Sequence, residues 1–234
     1  MSEERAVVLL SGGMDSATAA AWAKARFRWV GALSVDYGQR HRLELEAARA
    51  VARQLALAEH RVVGVDLRAF GGSALTDALE VPKGREDIGR LIPITYVPAR
   101  NTVLLSLLTA YGETRQARHL VIGANALDYS GYPDCRPDFL QAFARVATLG
   151  TKAGREGKGF ALHAPLLHLT KAGIVRLGHT LGLDFALTFS CYDPTPEGLH
   201  CGACDACRLR QRGFADSGLP DPTRYASTPP FERG

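Results

Sequence analysis

Residues 6–10 (AVVLL) form an unbroken aliphatic run that passes without a spacer into Ser11, Gly12, Gly13, Met14, Asp15 and Ser16, and then into an Ala-rich stretch over 17–26. Few folds accept such a run. Apolar residues at every position, rather than every second one, suit a strand buried on both faces of a parallel sheet. The Ala-rich stretch reads as a helix. The junction between them is therefore a strand–loop–helix unit. Its two glycines can take positive φ and let a phosphate approach the backbone. Ser11 and Ser16 supply hydroxyl donors. The helix beginning near Asp15 turns its free N–H groups and positive dipole end to the same spot. This is a site for an anion, and pyrophosphate is the natural fit. A carboxylate beside polyphosphate makes sense if it caps the helix or meets Mg²⁺; for Asp15 capping is the first expectation and magnesium the second.

The same alternation continues along the chain. Residues 31–37 (GALSVDY), 61–67 (RVVGVDL), 119–123 (HLVIG) and 162–167 read as four further strands, and 43–58 and 103–111 as helices. Strand and helix in this rhythm predict an α/β fold, a Rossmann-like parallel sheet with helices on both faces and right-handed crossovers. Ligands then sit beyond the carboxyl ends of the strands, which brings residues 36–39 toward the nucleotide. Thr170 reads as an N-cap that starts a helix at Lys171, a candidate cation for a leaving pyrophosphate or else a solvated helix-start lysine. Arg100 is a similar candidate. Residues 70–94 read as a flexible lid or insertion, 128–137 as a polar loop, and the proline-containing residues 219–234 as a loosely ordered tail.

Composition removes several alternatives. The chain is 46% hydrophobic and 22% charged, ordinary for a soluble globular protein, and its net charge of +4 is too mild for a dedicated nucleic-acid binder. No secretory signal or membrane-length apolar run is visible, so a cytoplasmic setting with reduced thiols is expected. Four cysteines, Cys191, Cys201, Cys204 and Cys207, crowd into one short C-terminal segment, while Cys135 stands apart. Four thiolates from such a segment suit one structural Zn²⁺; an iron–sulfur cluster is the rival, and His200 is a bystander. A zinc knuckle for nucleic acid would need stacking aromatics that this segment lacks, Phe214 excepted. Residues 1–189 are expected to form the nucleotide domain and 190–234 a small zinc-binding unit and tail.

The loop lacks the Gly-Lys-Ser/Thr ending of a Walker loop and the G-x-G-x-x-G of a dinucleotide fold. S-G-G-x-D-S after a buried strand instead resembles the PP-loop of the ATP pyrophosphatase superfamily. Further segments sharpen the match: DYGQRH from Asp36, VPARN from Val97, DYSGYPDCRP from Asp128, PLLHLTK from Pro165, and Ser190-Cys191-Tyr192. Together with the four cysteines they resemble the 7-cyano-7-deazaguanine synthase (QueC) family over nearly the whole chain. Ala99 departs from the pattern, where glycine is more usual.

The resemblance implies a ligase acting in queuosine biosynthesis. A 7-carboxy-7-deazaguanine carboxylate is adenylylated by ATP with Mg²⁺, ammonia forms the amide, and a second adenylylation yields the nitrile. It implies ATP binding by the loop from Leu10 through Ser11, Gly12, Gly13, Met14, Asp15, Ser16, Ala17, Thr18 and Ala19 to Ala20. Ser11, Asp15, Ser16 and Lys171 are the candidate catalytic groups. Arg100, Asp128, Tyr129, Tyr132, Asp134 and Cys135 are the candidate substrate contacts. The aromatic rings would stack on the flat base and a carboxylate would accept from its amidine edge. A homodimer, free ammonia and no direct nucleic-acid partner complete the expectation. Cys135 keeps one rival open, a tRNA thiolase on the same loop, and an RNA-binding zinc module that uses ATP as a switch is a second.

Overall fold

The computed structural model describes residues 4–38, 42–77, 79–84, 92–126 and 132–226. In chain order the elements are β1 (Arg5–Leu9), α1 (Met14–Lys24), β2 (Trp29–Asp36), α2 (Leu43–Gln54), β3 (Glu59–Gly64) and α3 (Arg100–Thr114). They continue with β4 (His119–Val121), α4 (Pro137–Leu149), the single turn α5 (Lys152–Arg155), β5 (Ala161–His163), α6 (Lys171–Thr180) and α7 (Asp205–Ser217). The five strands form one sheet in the order β3-β2-β1-β4-β5, with every pairing parallel. The winding reverses between β1 and β4. This is the expected Rossmann-like α/β architecture.

The side chains of β1 explain the unbroken run. Ala6, Val8 and the following Leu10 cluster with residues of α1, α2 and α6, while Val7 and Leu9 cluster with Leu105 and Leu108 of α3 and Phe143 of α4. Successive residues of a strand point to opposite faces, so a strand covered on both sides must be apolar throughout. Each valine or leucine buried in this way contributes about 1.5–3 kcal/mol.

Several boundaries differ from the expected ones. α1 begins at Met14, so Asp15 and Ser16 are already helical. α2 stops at Gln54, just before Ala56 takes a left-handed φ of 47°. α3 extends beyond 103–111 at both ends, and β4 and β5 are only three residues each. Of the two loop glycines only Gly12 has positive φ, 95°, whereas Gly13 lies at −73°. Helices α4 and α7 occupy stretches to which no helix was assigned. α7 lies along α6, and its Phe214 joins the cluster formed by α1 and β1.

Two expectations of looseness are corrected for the described residues. Within 70–94, Ser73, Ala74, Leu75 and Thr76 are buried, and the Ala74 N–H donates to Ile94 O. Lys83 bridges to Cys204, and the Gly84 N–H donates to Ala203 O. The tail is likewise anchored as far as residue 226: the Tyr225 hydroxyl donates to Asp221 at 2.6 Å, and His200 N–H donates to Arg224 O. In both segments backbone groups find partners on the body, which a lid or a free tail would leave to water.

Candidate active site

At the reversal point a cavity of about 210 Å³ opens beyond the carboxyl ends of β1 and β4. Open parallel sheets place ligands here because the two neighbouring loops diverge to opposite faces. One end of the cavity is walled by the loop between β1 and α1, contributing Ser11, Gly13, Met14, Asp15 and Ser16. The two serines shape this loop. Ser16 Oγ accepts from the Ser11 N–H at 3.1 Å, lies 2.9 Å from Ser11 Oγ and donates to Gly13 O at 3.0 Å.

Gly12 has a different task. A Cβ there would fall 2.1 Å from Glu44 O and 2.8 Å from Ala48 N, so the close approach that demands glycine is that of α2. Gly12 is buried and off the cavity wall. Leu10, Ala17, Thr18, Ala19 and Ala20 are also buried in the body of the fold and do not line the cavity.

Asp15 does not cap α1. The N-cap residue is Gly13, which has no side chain to cap with. The Asp15 carboxylate instead accepts from Lys171 Nζ at 2.8 and 3.1 Å. Lys171 is 7% exposed and lines the cavity. It is therefore no solvated lysine. Thr170 caps α6 as expected, its hydroxyl accepting from the Gly173 N–H at 3.1 Å. α7 then covers the lysine stem. A Cβ on Gly213 would come 2.4 Å from Lys171 Cγ, so only glycine lets the helix lie there. At the cavity wall its ammonium places a positive charge where an anion would enter.

Two wall residues carry no chemical signature in the sequence. Gly123, just after β4, lets the first turn of α1 approach, since a Cβ would sit 2.9 Å from Asp15 C and Ser16 N. Asn125 Nδ2 donates to Leu166 O and Leu169 O, which ties the loop after β4 to the run leading into Lys171.

The other end of the cavity gathers Tyr37, Glu44, Arg100, Asn101, Tyr132 and Cys135. The Arg100 guanidinium lies 5.8 Å from the Tyr37 ring centre. Burial pushes the Tyr37 phenol up to about 12, the Glu44 charge adding and Arg100 opposing. Burial likewise pushes the Glu44 carboxyl up to about 7, against the pull of Arg100. Glu44 was not foreseen, because a glutamate in the first turn of an amphipathic helix ordinarily faces water. Tyr132 is fixed by a 3.0 Å hydrogen bond between its hydroxyl and Thr95. Cys135 Sγ accepts from Asn101 Nδ2 at 3.2 Å, and its thiol is pushed up to about 11, chiefly by burial and further by the Asp134 charge. A thiol in that state is a poor nucleophile. Asp134 lies behind the wall, where its carboxylate accepts the Asn101 N–H at 2.9 Å and satisfies one open donor at the start of α3. Asp128 and Tyr129 lie outside the described residues.

Beside the loop, Cys191, Cys201, Cys204 and Cys207 bring their sulfurs within 4.8 Å of one another. The Cys191–Cys204 and Cys201–Cys207 separations are both 4.0 Å. A tetrahedral Zn–S distance of ~2.3 Å requires sulfurs roughly 3.8 Å apart, so the set fits a four-coordinate ion. Hydrogen bonds among the thiols hold Cys204 below the ordinary thiol range and push Cys191 and Cys207 above it. His200 stands outside this set; its ring lies tilted at 42° against Phe189, with centroids 4.2 Å apart. Among the described residues no helix is long and apolar enough to cross a membrane.

The sequence as a whole has close counterparts. Residues 5–218 match the family model described as queuosine biosynthesis protein QueC. A 7-cyano-7-deazaguanine synthase from Anaeromyxobacter sp. (strain Fw109-5) is 62% identical over 225 residues, covering 95% of this chain and 96% of that protein. Another, from Desulfatibacillum aliphaticivorans, is 58% identical over 228 residues, with 96% and 98% coverage. Among solved structures, the NMN synthetase from Francisella tularensis aligns over 93% of this chain and 78% of its own with a TM-score of 0.48 at 20% identity. Motif by motif and along nearly its full length, this chain belongs to the QueC family of queuosine biosynthesis proteins.

Proposed function

We propose that the protein is a 7-cyano-7-deazaguanine synthase. It converts 7-carboxy-7-deazaguanine and ammonia to the nitrile and uses two ATP molecules. The observation that carries this reading is a cavity with an anion loop and a buried lysine at one end and a half-buried arginine and carboxyl with aromatic rings at the other. Family membership supplies the substrate class.

The chemistry follows from what each bond requires. A carboxylate oxygen attacks the α-phosphate of ATP and expels pyrophosphate, which turns a poor leaving group into AMP. Ammonia attacks the acyl carbon and expels AMP, and the resulting amide oxygen repeats the attack on a second ATP. Loss of the second AMP leaves the nitrile, so each carboxylate oxygen departs on one AMP. In this reading Ser11, Gly13, Ser16 and the N-terminus of α1 hold the pyrophosphate, and Lys171 neutralises its developing charge. Mg²⁺ would accompany ATP and offset its phosphate charge, and Asp15 is the carboxylate of the loop that would hold it. Arg100 meets a carboxylate or phosphate, and Tyr132 and Tyr37 flank the base. The enclosing walls limit water, which would hydrolyse an acyl adenylate. A single Zn²⁺ on Cys191, Cys201, Cys204 and Cys207 is a closed structural site that supplies folding energy. The protein acts as a homodimer in the cytoplasm on free small molecules, without RNA.

The test is a reaction of purified protein, ATP, Mg²⁺, ammonium and the deazapurine acid with no RNA present. AMP and pyrophosphate form only when the acid is supplied, and the nitrile follows. Absence of AMP under these conditions rejects the reading. The protonated, buried state of Cys135 argues against the thiolase alternative, which needs a reactive thiolate.

A further inference from the structure

The segment that enters the cysteine cluster also closes on the anion loop. The Phe189 N–H donates to Gly12 O at 2.9 Å. One residue on, Ser190 Oγ accepts the Met14 N–H at 3.3 Å, and the next residue is Cys191. Met14 opens α1, so its N–H is among the helix-start donors that an anion would otherwise take. Ser190 also lines the cavity together with Ser11, Gly13, Asp15 and Lys171. Its placement is enforced from behind. The Ser190 N–H donates to His200 Nε2 at 3.2 Å, the buried His200 ring packs tilted against Phe189, and the Cys201 N–H donates to Cys191 Sγ at 3.2 Å.

A serine hydroxyl that accepts one hydrogen bond still has its own proton to donate. No bond donated by the Ser190 hydroxyl occurs among the described residues, and the group stands half-buried at the cavity wall. We propose that Ser190 is a further phosphate-binding residue, delivered to the ATP site by the cysteine-bearing segment, which accepts from the Met14 N–H and donates to the pyrophosphate of ATP. The inference rests on the cavity being the ATP site. It gives the cysteine cluster a link to catalysis through backbone and hydroxyl positioning, with no metal chemistry involved.

The experiment measures binding of inorganic pyrophosphate and of α,β-methylene-ATP to the metal-loaded wild type, Ser190→Ala and Ser190→Thr by titration calorimetry. Metal content and melting temperature are recorded on the same samples. Ser190→Ala weakens both ligands about ten- to hundredfold, the range for one hydrogen bond to a charged group, at unchanged metal content, and the lost bond from the Met14 N–H lowers the melting temperature by no more than about 4 °C. Ser190→Thr, which keeps the hydroxyl, stays within about threefold of the wild type. If the wild type binds and Ser190→Ala binds equally well, the inference falls while the ATP site stands. It falls too if the alanine variant loses metal or melts more than about 4 °C lower, because Ser190 would then be structural. If the wild type binds neither ligand, the ATP reading itself fails.

Discussion

Glu44 is the side chain at which burial and charge are most openly in conflict. Its carboxyl titrates near 7 in the folded chain, against an ordinary value near 4.5, with burial as the cause. Between those two values the folded state binds more protons than the unfolded one. The stability linked to this group is therefore full below about pH 4.5 and is lost as pH rises through 7. Glu44→Gln removes the penalty of the buried charge. Its melting temperature should match the wild type near pH 5 and exceed it increasingly toward pH 8. A difference that does not vary with pH would count against this account. A residue kept at such a cost is the kind found where function sets the side chain. Ala99 poses a smaller conflict. It sits at φ 53°, in the left-handed region, as the N-cap of α3 next to Arg100. Glycine avoids the left-handed penalty of about 1–2 kcal/mol but loses about 0.5–1 kcal/mol in chain entropy. Ala99→Gly should therefore raise stability by about 0.5–1 kcal/mol, read from the urea midpoint, and a lowered midpoint would contradict it. The glycine that the sequence resemblance leads one to expect here has a backbone reason.

The loop between β1 and α1 separates two glycines that look equivalent in the sequence. Gly12 combines φ 95° with a backbone contact to α2 that leaves no space for a Cβ, whereas Gly13 has φ −73° and its nearest neighbour at an ordinary 3.6 Å. Gly12→Ala should cost about 3–5 kcal/mol through overpacking and left-handed strain. Gly13→Ala should change stability by less than about 1 kcal/mol while weakening nucleotide binding, because its methyl group enters the cavity wall. Denaturant melts with and without an ATP analogue check the contrast, and equal destabilisation of both variants would refute it. α1 itself shows what local sequence can and cannot define. Alanine content marks the helix interior, but the start at Met14 depends on Ser16 bonding to Gly13 O and on Ser190, which lies 176 positions away.

At the scale of the whole molecule the cysteine segment is bound into the body. Cys191, Cys204 and Cys207 belong to the same buried cluster as Leu9 of β1 and Leu105 of α3. α7, which begins directly after Cys204, covers Lys171. Removing the metal should therefore destabilise the entire chain and not release a separate unit. A chelator should lower a single melting transition by at least about 10 °C, given the several kcal/mol a structural zinc contributes. Elemental analysis should find one zinc per chain. Two separate transitions, or an unchanged melt, would show the segment to be energetically independent.

Signals confined to a few residues were legible in the sequence: the unbroken apolar run of β1, the glycine turn, the N-cap at Thr170 and the spacing of four thiols. Each expresses a local rule, be it side-chain alternation, allowed φ, hydrogen bonding to the next turn, or ligand reach. These were enough for the parallel sheet, for a glycine loop at its carboxyl edge and for the gathering of four thiols. The tertiary structure alone decided which polar groups lose their water. Asp15 pairs with Lys171 across 156 positions, Gly123 admits the first turn of α1, and Ser190 and Glu44 reach the same cavity from opposite ends of the chain. No local pattern encodes such meetings, because they follow from the winding reversal between β1 and β4. That reversal brings distant helix starts to one point and makes ordinary surface residues into buried ones.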